Sequence, residues 1–404
     1  MKAKLIAFSL FAATAGAVTL YPVYNSIGAV TPIEVKPITP TEIHNITQQR
    51  KVIEVVFALD TTGSMGGMIE AAKEKIWSIA SSMASAQSAP QIRMGLVAYR
   101  DRGDSYVTQV LDLSGDLDSM YAALMDFKAA GGGDGPESVN QALNDAVTRM
   151  SWSDDKDTYK VVFLVGDAPP HMDYQDDVKY PETIRLAKQN GIVINTIQCG
   201  EDRSTLQKWN QIAQLGNGSY FQVEQTGSAL AISTPFDAKI AKLSEELDKT
   251  RLYYGSREEK LKQQKKLDAT EKLHASSSVE SRARRATFNA SKSGKDNFLG
   301  KGELVDDVAS GRVDISSIET EKLPAPMQAM APAEQLAVIK EKAAKRDELK
   351  RQIDKLAKQR STFIKSEVAE RGDAEASLDY KIFSAVKEQA EKKGLRYEAD
   401  APAY

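Results

Sequence analysis

The segment at residues 51–67, KVIEVVFALDTTGSMGG, constrains this chain more than any other stretch. Val52, Ile53, Val55, Val56, Phe57, Ala58 and Leu59 form an apolar, β-branched run. Such a run suits a strand buried on both faces of a parallel sheet. It ends in Asp60, Thr62 and Ser64, three oxygen-bearing side chains at alternate positions, and Gly63, Gly66 and Gly67 let the chain turn before a helical pattern begins at Met68. Open α/β sheets bind ligands at the carboxyl ends of their strands. Carboxylate and hydroxyl oxygens at such a place, with no His or Cys among them, suit a hard divalent cation such as Mg2+.

Beyond this segment the pattern alternates. Strands are expected near 51–60, 91–99, 105–111, 159–166, 191–198 and 218–223, and helices near 66–86, 115–127, 137–150, 180–189, 203–214 and 226–250. The alternation predicts an α/β fold, a doubly wound and mostly parallel sheet with helices on both faces. Near residue 236 charged helical sequence takes over, so 51–235 reads as one domain and 236–404 as an α-helical, coiled-coil-like C-terminal region. Gly255 followed by Ser256 and Glu259 reads as a helix stop and a capping box. Residues 275–300, rich in Ser, Arg and Lys, are expected to be flexible, with Arg282, Arg284 and Arg285 solvated. A short helix from Leu304 should stop at Gly311, and a long one should run over 333–371 with Leu336, Ile339, Leu349, Ile353, Leu356, Phe363 and Val368 inward. Arg360 interrupts its heptad seam, which favours a packed helical hairpin over a long zipper. A last helix is expected over 374–393, with Leu378, Ile382 and Val386 inward.

Lys2 and Lys4 precede an uncharged stretch from Leu5 to about Tyr24, which reads as a signal peptide or a membrane anchor over 1–24. Pro32, Pro37 and Pro40 then mark a linker over 25–50. Either reading of the leader exports the bulk of the chain, to the periplasm or to an extracytoplasmic membrane surface. With 404 residues there is room for more than one structural unit, and a net charge of −3 gives no drive toward nucleic acid. The single cysteine, Cys199, lies in the apolar run IVINTIQC and reads as a buried small hydrophobe.

Two further loops can meet Asp60, Thr62 and Ser64: GGGDGPES at 131–138, carrying Asp134, and VFLVGDAPPH at 162–171, carrying Asp167. With these three loops in place, 51–235 resembles a von Willebrand factor type A domain, the fold of integrin inserted domains. The local sequences VAYRDRGD, GGGDGPE and GDAPPH look closest to a bacterial and eukaryotic branch that includes domains fused to alpha-kinases. The family's metal-ion-dependent adhesion motif D-x-S-x-S is matched by Asp60, Thr62 and Ser64, with a Thr in place of the first Ser. Asp134 stands where the family has a Thr, and Asp167 where it has an Asp. The resemblance implies a Mg2+ site (Mn2+ or Ca2+ as alternatives) whose open position takes an acidic side chain of a protein partner, without catalysis. An extra carboxylate at Asp134 should tighten the metal and weaken its pull on that acidic group.

Two other classes stay open: an accessory, chaperone-like subunit of a ring ATPase, and a hydrolase using Ser64. The hydrolase reading meets two difficulties, since a G-x-S-x-G elbow needs Gly at Thr62 and only His44, His171 and His274 could serve as base. Arg102-Gly103-Asp104 spells an integrin-binding tripeptide and is read as chance, with Arg100 and Asp101 in a structural ion-pair network. Oligomeric state is not legible.

Overall fold

The strand foreseen at the opening motif, β1 (Val52–Asp60), occupies the middle of a six-stranded sheet in the computed structural model, which describes residues 50–133, 135–225, 232–371 and 378–397. The strand order is β3-β2-β1-β4-β5-β6. β2 (Gln91–Tyr99), β4 (Tyr159–Gly166), β5 (Ile192–Cys199) and β6 (Asn217–Val223) join β1 in parallel pairing. β3 (Thr108–Ser114) closes one edge antiparallel to β2. The chain leaves β1 toward β2 on one side and returns to β4 on the other, so the crevice between the carboxyl ends of β1 and β4 is the topological switch point. Leu59 is in register with Val165, which brings Asp60 and Gly166 side by side at that crevice.

Alternate residues of β1 serve two cores, as a strand covered on both faces requires. Ile53, Val55, Phe57 and Leu59 pack under α1 (Gly66–Ala84) and α2 (Leu117–Leu124). Val56 and Ala58 pack under α3 (Val139–Thr148), α4 (Tyr180–Gln189) and α5 (Arg203–Leu215). Cys199 is buried, as its apolar run implies.

α6 (Asp237–Asp248), α7 (Arg257–Ser276), α8 (Val279–Ala290), α9 (Lys295–Leu299), α10 (Leu304–Ala309) and α11 (Pro332–Arg371) follow, with short 3-10 turns before α11. They enclose two small cores of their own, around Ile240, Leu247 and Ile353 and around Leu304, Met327 and Ile339. The capping box at Ser256 and Glu259 starts α7 as expected, and Gly311 ends α10 with a left-handed φ of 72°.

The break expected at residue 236 is not a break in packing. The last helix, α12 (Leu378–Glu391), returns to the sheet. Its Ile382, Phe383, Val386 and Ala390, with Leu395 and Tyr397 just beyond, enter the core that α1 and α2 share with β1. Gln389 accepts from the Tyr159 hydroxyl at 2.7 Å and donates to Asn195 Oδ1 at 2.8 Å, fixing α12 to β4 and β5.

Four expectations are corrected. Residues 275–300 are not a flexible loop, because α8 and α9 are folded there and dock onto the α/β part. Arg285 is 1% exposed and lies between Asp118 of α2 and Asp248 of α6, at 2.6 Å and 2.7 Å. A basic cluster that looked solvated is therefore an interior counter-charge. Arg360, read as disfavouring a long zipper, is buried and pairs with Asp237 at 2.6 Å, and α11 packs on α6, α8 and α10 in keeping with that reading. Of the helix expected over 226–250, Asp237–Asp248 is helical, 232–236 is not and 226–231 lie outside the described residues, and β3 is displaced to 108–114 because residues 100–107 are drawn into loop contacts. The leader at 1–24, residues 25–49 of the linker expected over 25–50, and Asp134 lie outside the described residues. No helix among the described residues is long and apolar enough to cross a membrane.

Candidate metal centre

The carboxyl end of β1 brings three of the expected side chains together. Asp60 Oδ1 accepts from the Thr62 amide at 2.8 Å and the Thr62 hydroxyl at 2.7 Å, and the Thr62 and Ser64 hydroxyls stand 3.4 Å apart. Asp60 and Thr62 are buried while Ser64 is exposed and Asp167 half-buried, so the cluster opens to solvent on the Ser64–Asp167 side. Gly166 lets the strands approach this closely. A Cβ there would overlap the Tyr99 hydroxyl and stand 3.1 Å from Asp60 Oδ2. Asp167 follows at the end of β4, where its Oδ2 accepts from Gln225 Nε2 at 2.7 Å. The same amide reaches the Ser64 carbonyl at 3.3 Å, so Gln225 ties the first loop to the third.

A carboxylate that the motif reading passed over completes the cluster. Glu137 is 4% exposed, and its backbone is held to the third loop by the Pro169 carbonyl at 2.9 Å. Burial, then the charges of Asp60, Asp101, Asp167 and Asp104, push its pKa up to about 9. Burial likewise pushes Asp60 to about 7, opposed by the Thr62 hydrogen bonds and reinforced by Asp167. Both shifts have one physical meaning: carboxylates taken from water and set among like charges hold protons unless a cation is supplied. Asp60 Oδ2 and Glu137 Oε2 are buried without hydrogen-bond partners. Orphaned acceptors of this kind beside two hydroxyls fit a hard divalent cation with few protein ligands and several waters. Among the described residues no three His, Cys, Asp or Glu side chains converge as a closed metal cage.

The surrounding loops are bound to one another. Arg100 donates to the carbonyls of Thr61 at 3.1 Å and Lys128 at 2.8 Å and stacks on Tyr106. It does not form the expected ion-pair network with Asp101, which instead accepts from Ser138 and Tyr174. Arg102 pairs with Asp176 and Asp177 and covers Tyr174, while Asp104 accepts from the Gly132 amide at 3.0 Å. The Arg-Gly-Asp tripeptide is thus occupied in clamping the second and third loops. Gly132 has φ of 80°, and a Cβ there would press on Thr62 at 3.2 Å. Among the described residues His171 bonds Asp101, Asp173 and Tyr174, not Ser64, and His274 belongs to the helical region beside Asp248.

A family model described as von Willebrand factor A domain matches residues 54–235. An ariadne-like RING finger protein of Acanthamoeba polyphaga mimivirus is 28% identical over 120 residues, 30% of this chain and 11% of that protein. The chain therefore spans about a tenth of that relative's length. Solved structures similar to it include the SpRpn10 VWA domain, at 19% identity with 44% of this chain and 90% of that one covered and a TM-score of 0.33. Proximal thread matrix protein 1 from the mussel byssus has 14% identity, 44% and 42% coverage and a TM-score of 0.34. The pilus adhesin SpaC from Lactobacillus rhamnosus GG has 15% identity, 44% and 28% coverage and a TM-score of 0.34. Domains of this family serve as protein-interaction modules, and the chain carries one, a von Willebrand factor A domain over residues 54–235.

Proposed function

We propose that the chain is a non-catalytic adhesion or scaffold protein of the cell envelope, whose domain engages a protein partner through a divalent cation. The observation that carries this reading is the pair of buried, unpartnered oxygens, Asp60 Oδ2 and Glu137 Oε2, beside the hydroxyls of Thr62 and Ser64. Asp60, Thr62, Ser64 and Asp167 would hold the ion, with Asp134 as a fifth candidate from the second loop. Mg2+ is the expected ion, with Mn2+ and Ca2+ as alternatives. When bound, the ion supplies a positive charge with an open coordination position. The chain's own residues do the rest: Thr62 orients Asp60, Gln225 orients Asp167, and the Arg102 clamp fixes the loops that frame the opening.

The rim supports a protein partner with an acidic group in an apolar setting. Met172 and Val178 in the third loop and Leu206, adjacent to the Thr205 that donates to the Asp167 carbonyl, are among the exposed large hydrophobic residues. The envelope location rests on Lys2, Lys4 and the uncharged run that follows them.

The test is calorimetric titration of Mg2+ and Mn2+ into the full chain beside Asp60→Asn, with circular dichroism to show that both are folded. Saturable binding lost in Asp60→Asn is expected. A folded wild type that binds neither ion would overturn the reading.

A further inference from the structure

The edge of the sheet opposite the candidate metal centre carries a groove of its own. It has a volume of about 560 Å3 and lies at the amino ends of β4 and β5, between residues 150–158, which follow α3, and residues 188–191 at the end of α4. Met150 and Trp152 give it apolar surface, and Lys156, Lys160, Lys188 and Lys393 bring four cations to it. β4 has eight residues, so at about 3.3 Å per residue the groove stands roughly 25 Å from Asp167 at the far end of the strand.

Among the described residues no carboxylate pairs with any of these four lysines. Lys160 is 6% exposed and reaches the Asn190 carbonyl at 3.5 Å, while Lys393 donates to the Lys156 carbonyl at 2.6 Å. A carbonyl is a neutral dipole, so both charges remain. Lys156 and Lys188 are exposed. Glu54, in register with Lys160, is taken by Arg93 and by the Ser153 amide. Asp154 and Asp155 also line the groove, and Asp155 Oδ1 accepts from the Asp157 amide at 2.9 Å. Four lysines against two aspartates leave an excess of two positive charges. That excess is local, because the whole chain carries −3.

A basic surface is ordinarily just solvated, and it is the position of this one that argues for more. The chain enters the domain at the same edge: Lys51, just before β1, bridges to Asp157 at 3.8 Å, one residue beyond Lys156. The part of the chain that carries the leader read at 1–24 therefore joins the domain beside the lysine groove and at the end of the sheet away from Asp60. Anionic bilayers attract clustered lysines, and Trp favours the level of the headgroups. A face next to a membrane tether needs only weak affinity, because the tether supplies the effective concentration. Resting on the envelope reading of the leader, we infer that this edge is a membrane-docking face: Lys156, Lys188 and Lys393 meet the phosphates of an anionic phospholipid bilayer, and the candidate metal centre is turned away from it toward a partner.

The experiment uses the full chain, sedimented with vesicles of phosphatidylcholine alone or of an equal mixture of phosphatidylcholine and phosphatidylglycerol. The leader contributes to both, so the readout is the ratio of the two partition coefficients. A preference for the anionic vesicles of about tenfold or more is expected at low salt, falling toward unity as salt is raised. Lys156→Glu with Lys188→Glu should abolish it. Lys262→Glu with Lys265→Glu, on the exposed face of α7 and outside the groove, changes net charge equally and should leave most of it. All four positions are exposed, so both pairs should fold, which circular dichroism checks. Equal partition of the folded wild type between the two vesicles would overturn the inference, as would a preference that the groove pair leaves intact or that the α7 pair removes as fully. Titration of Mg2+ into the same wild type separates the two readings: metal binding without anionic preference overturns the docking face and leaves the metal centre standing.

Discussion

The return of α12 to the sheet makes a strong prediction about where the domain ends. Residues 50–235 contain the whole sheet and match the family model, and by sequence alone they look like a self-sufficient unit. Their core, however, is completed from outside. Ile382, Phe383, Val386 and Leu395 are each 5% exposed or less and belong to the cluster built on β1, α1 and α2. Fully burying one such side chain contributes roughly 1.5–3 kcal/mol. Four of them contribute roughly 6–12 kcal/mol, an upper bound because unfolded chains already hide some apolar surface. Whole domains are stable by about 5–15 kcal/mol. Removing α12 should therefore take most or all of the stability of the sheet domain. It also strands Tyr159 and Asn195, which lose Gln389 in the interior. The expected result is that residues 50–235 expressed alone show no cooperative urea transition, and that adding residues 378–397 as a peptide restores one. In the full chain, Ile382→Ala should cost about 2–5 kcal/mol. A cooperative transition of the 50–235 fragment, unmoved by the peptide, would refute the reasoning.

Two other outcomes follow from specific contacts. Burial alone would raise the pKa of Asp118, but Arg285 and Lys266 outweigh it and bring it down to about 2. A carboxyl depressed in the folded state adds stability that is complete above its unfolded pKa of 3.8 and is lost as pH falls toward 2. Urea melts should thus show a loss of roughly 2–3 kcal/mol across that window from Asp118 alone, with Asp248 adding in the same direction; a flat profile there would contradict the buried Arg285 bridge. Gly166→Ala would force a methyl against the Tyr99 hydroxyl and Asp60, and should cost about 1–3 kcal/mol of stability and abolish the titration of Mg2+. An Ala variant with wild-type stability and metal binding would show that β1 and β4 are less tightly opposed than the structure has them.

What the sequence disclosed and what it hid divide along a physical line. Buried parallel strands such as β1 and β4 announce themselves in continuous apolar runs, and the capping box at Ser256 depends only on residues three apart. Local signals of this kind survive in one dimension. The burial of Arg285 does not, because an Arg with solvent around it and an Arg between Asp118 and Asp248 are spelled alike, and the two acids lie 167 and 37 residues away. Nor does the role of α12: its inward residues Ile382 and Val386 were legible as an apolar stripe, but nothing near them says whether the stripe meets α11 or a sheet whose nearest strand, β6, is reached by Lys381 across 159 residues.

The metal centre divides the same way. Asp60, Thr62 and Ser64 are readable because strand periodicity puts alternate side chains on one side, and the turn that follows is marked by glycines. Glu137 was missed because it follows the Gly-Pro turn in a stretch whose Asp134 drew the motif match, and because an acid just before a helix is ordinarily explained by the helix itself. Its distinguishing property is not its type but its company: 4% exposure, an unpartnered oxygen, and four other aspartates whose charges reach it. That company is assembled by three loops held together by Arg102, Asp104 and Gln225. In this chain the Arg-Gly-Asp triplet therefore does its work inward. Its Arg and Asp stand at opposite ends of a clamp that sets the opening beside Ser64 and Asp167, and an outward ligand would have to break that clamp to use them.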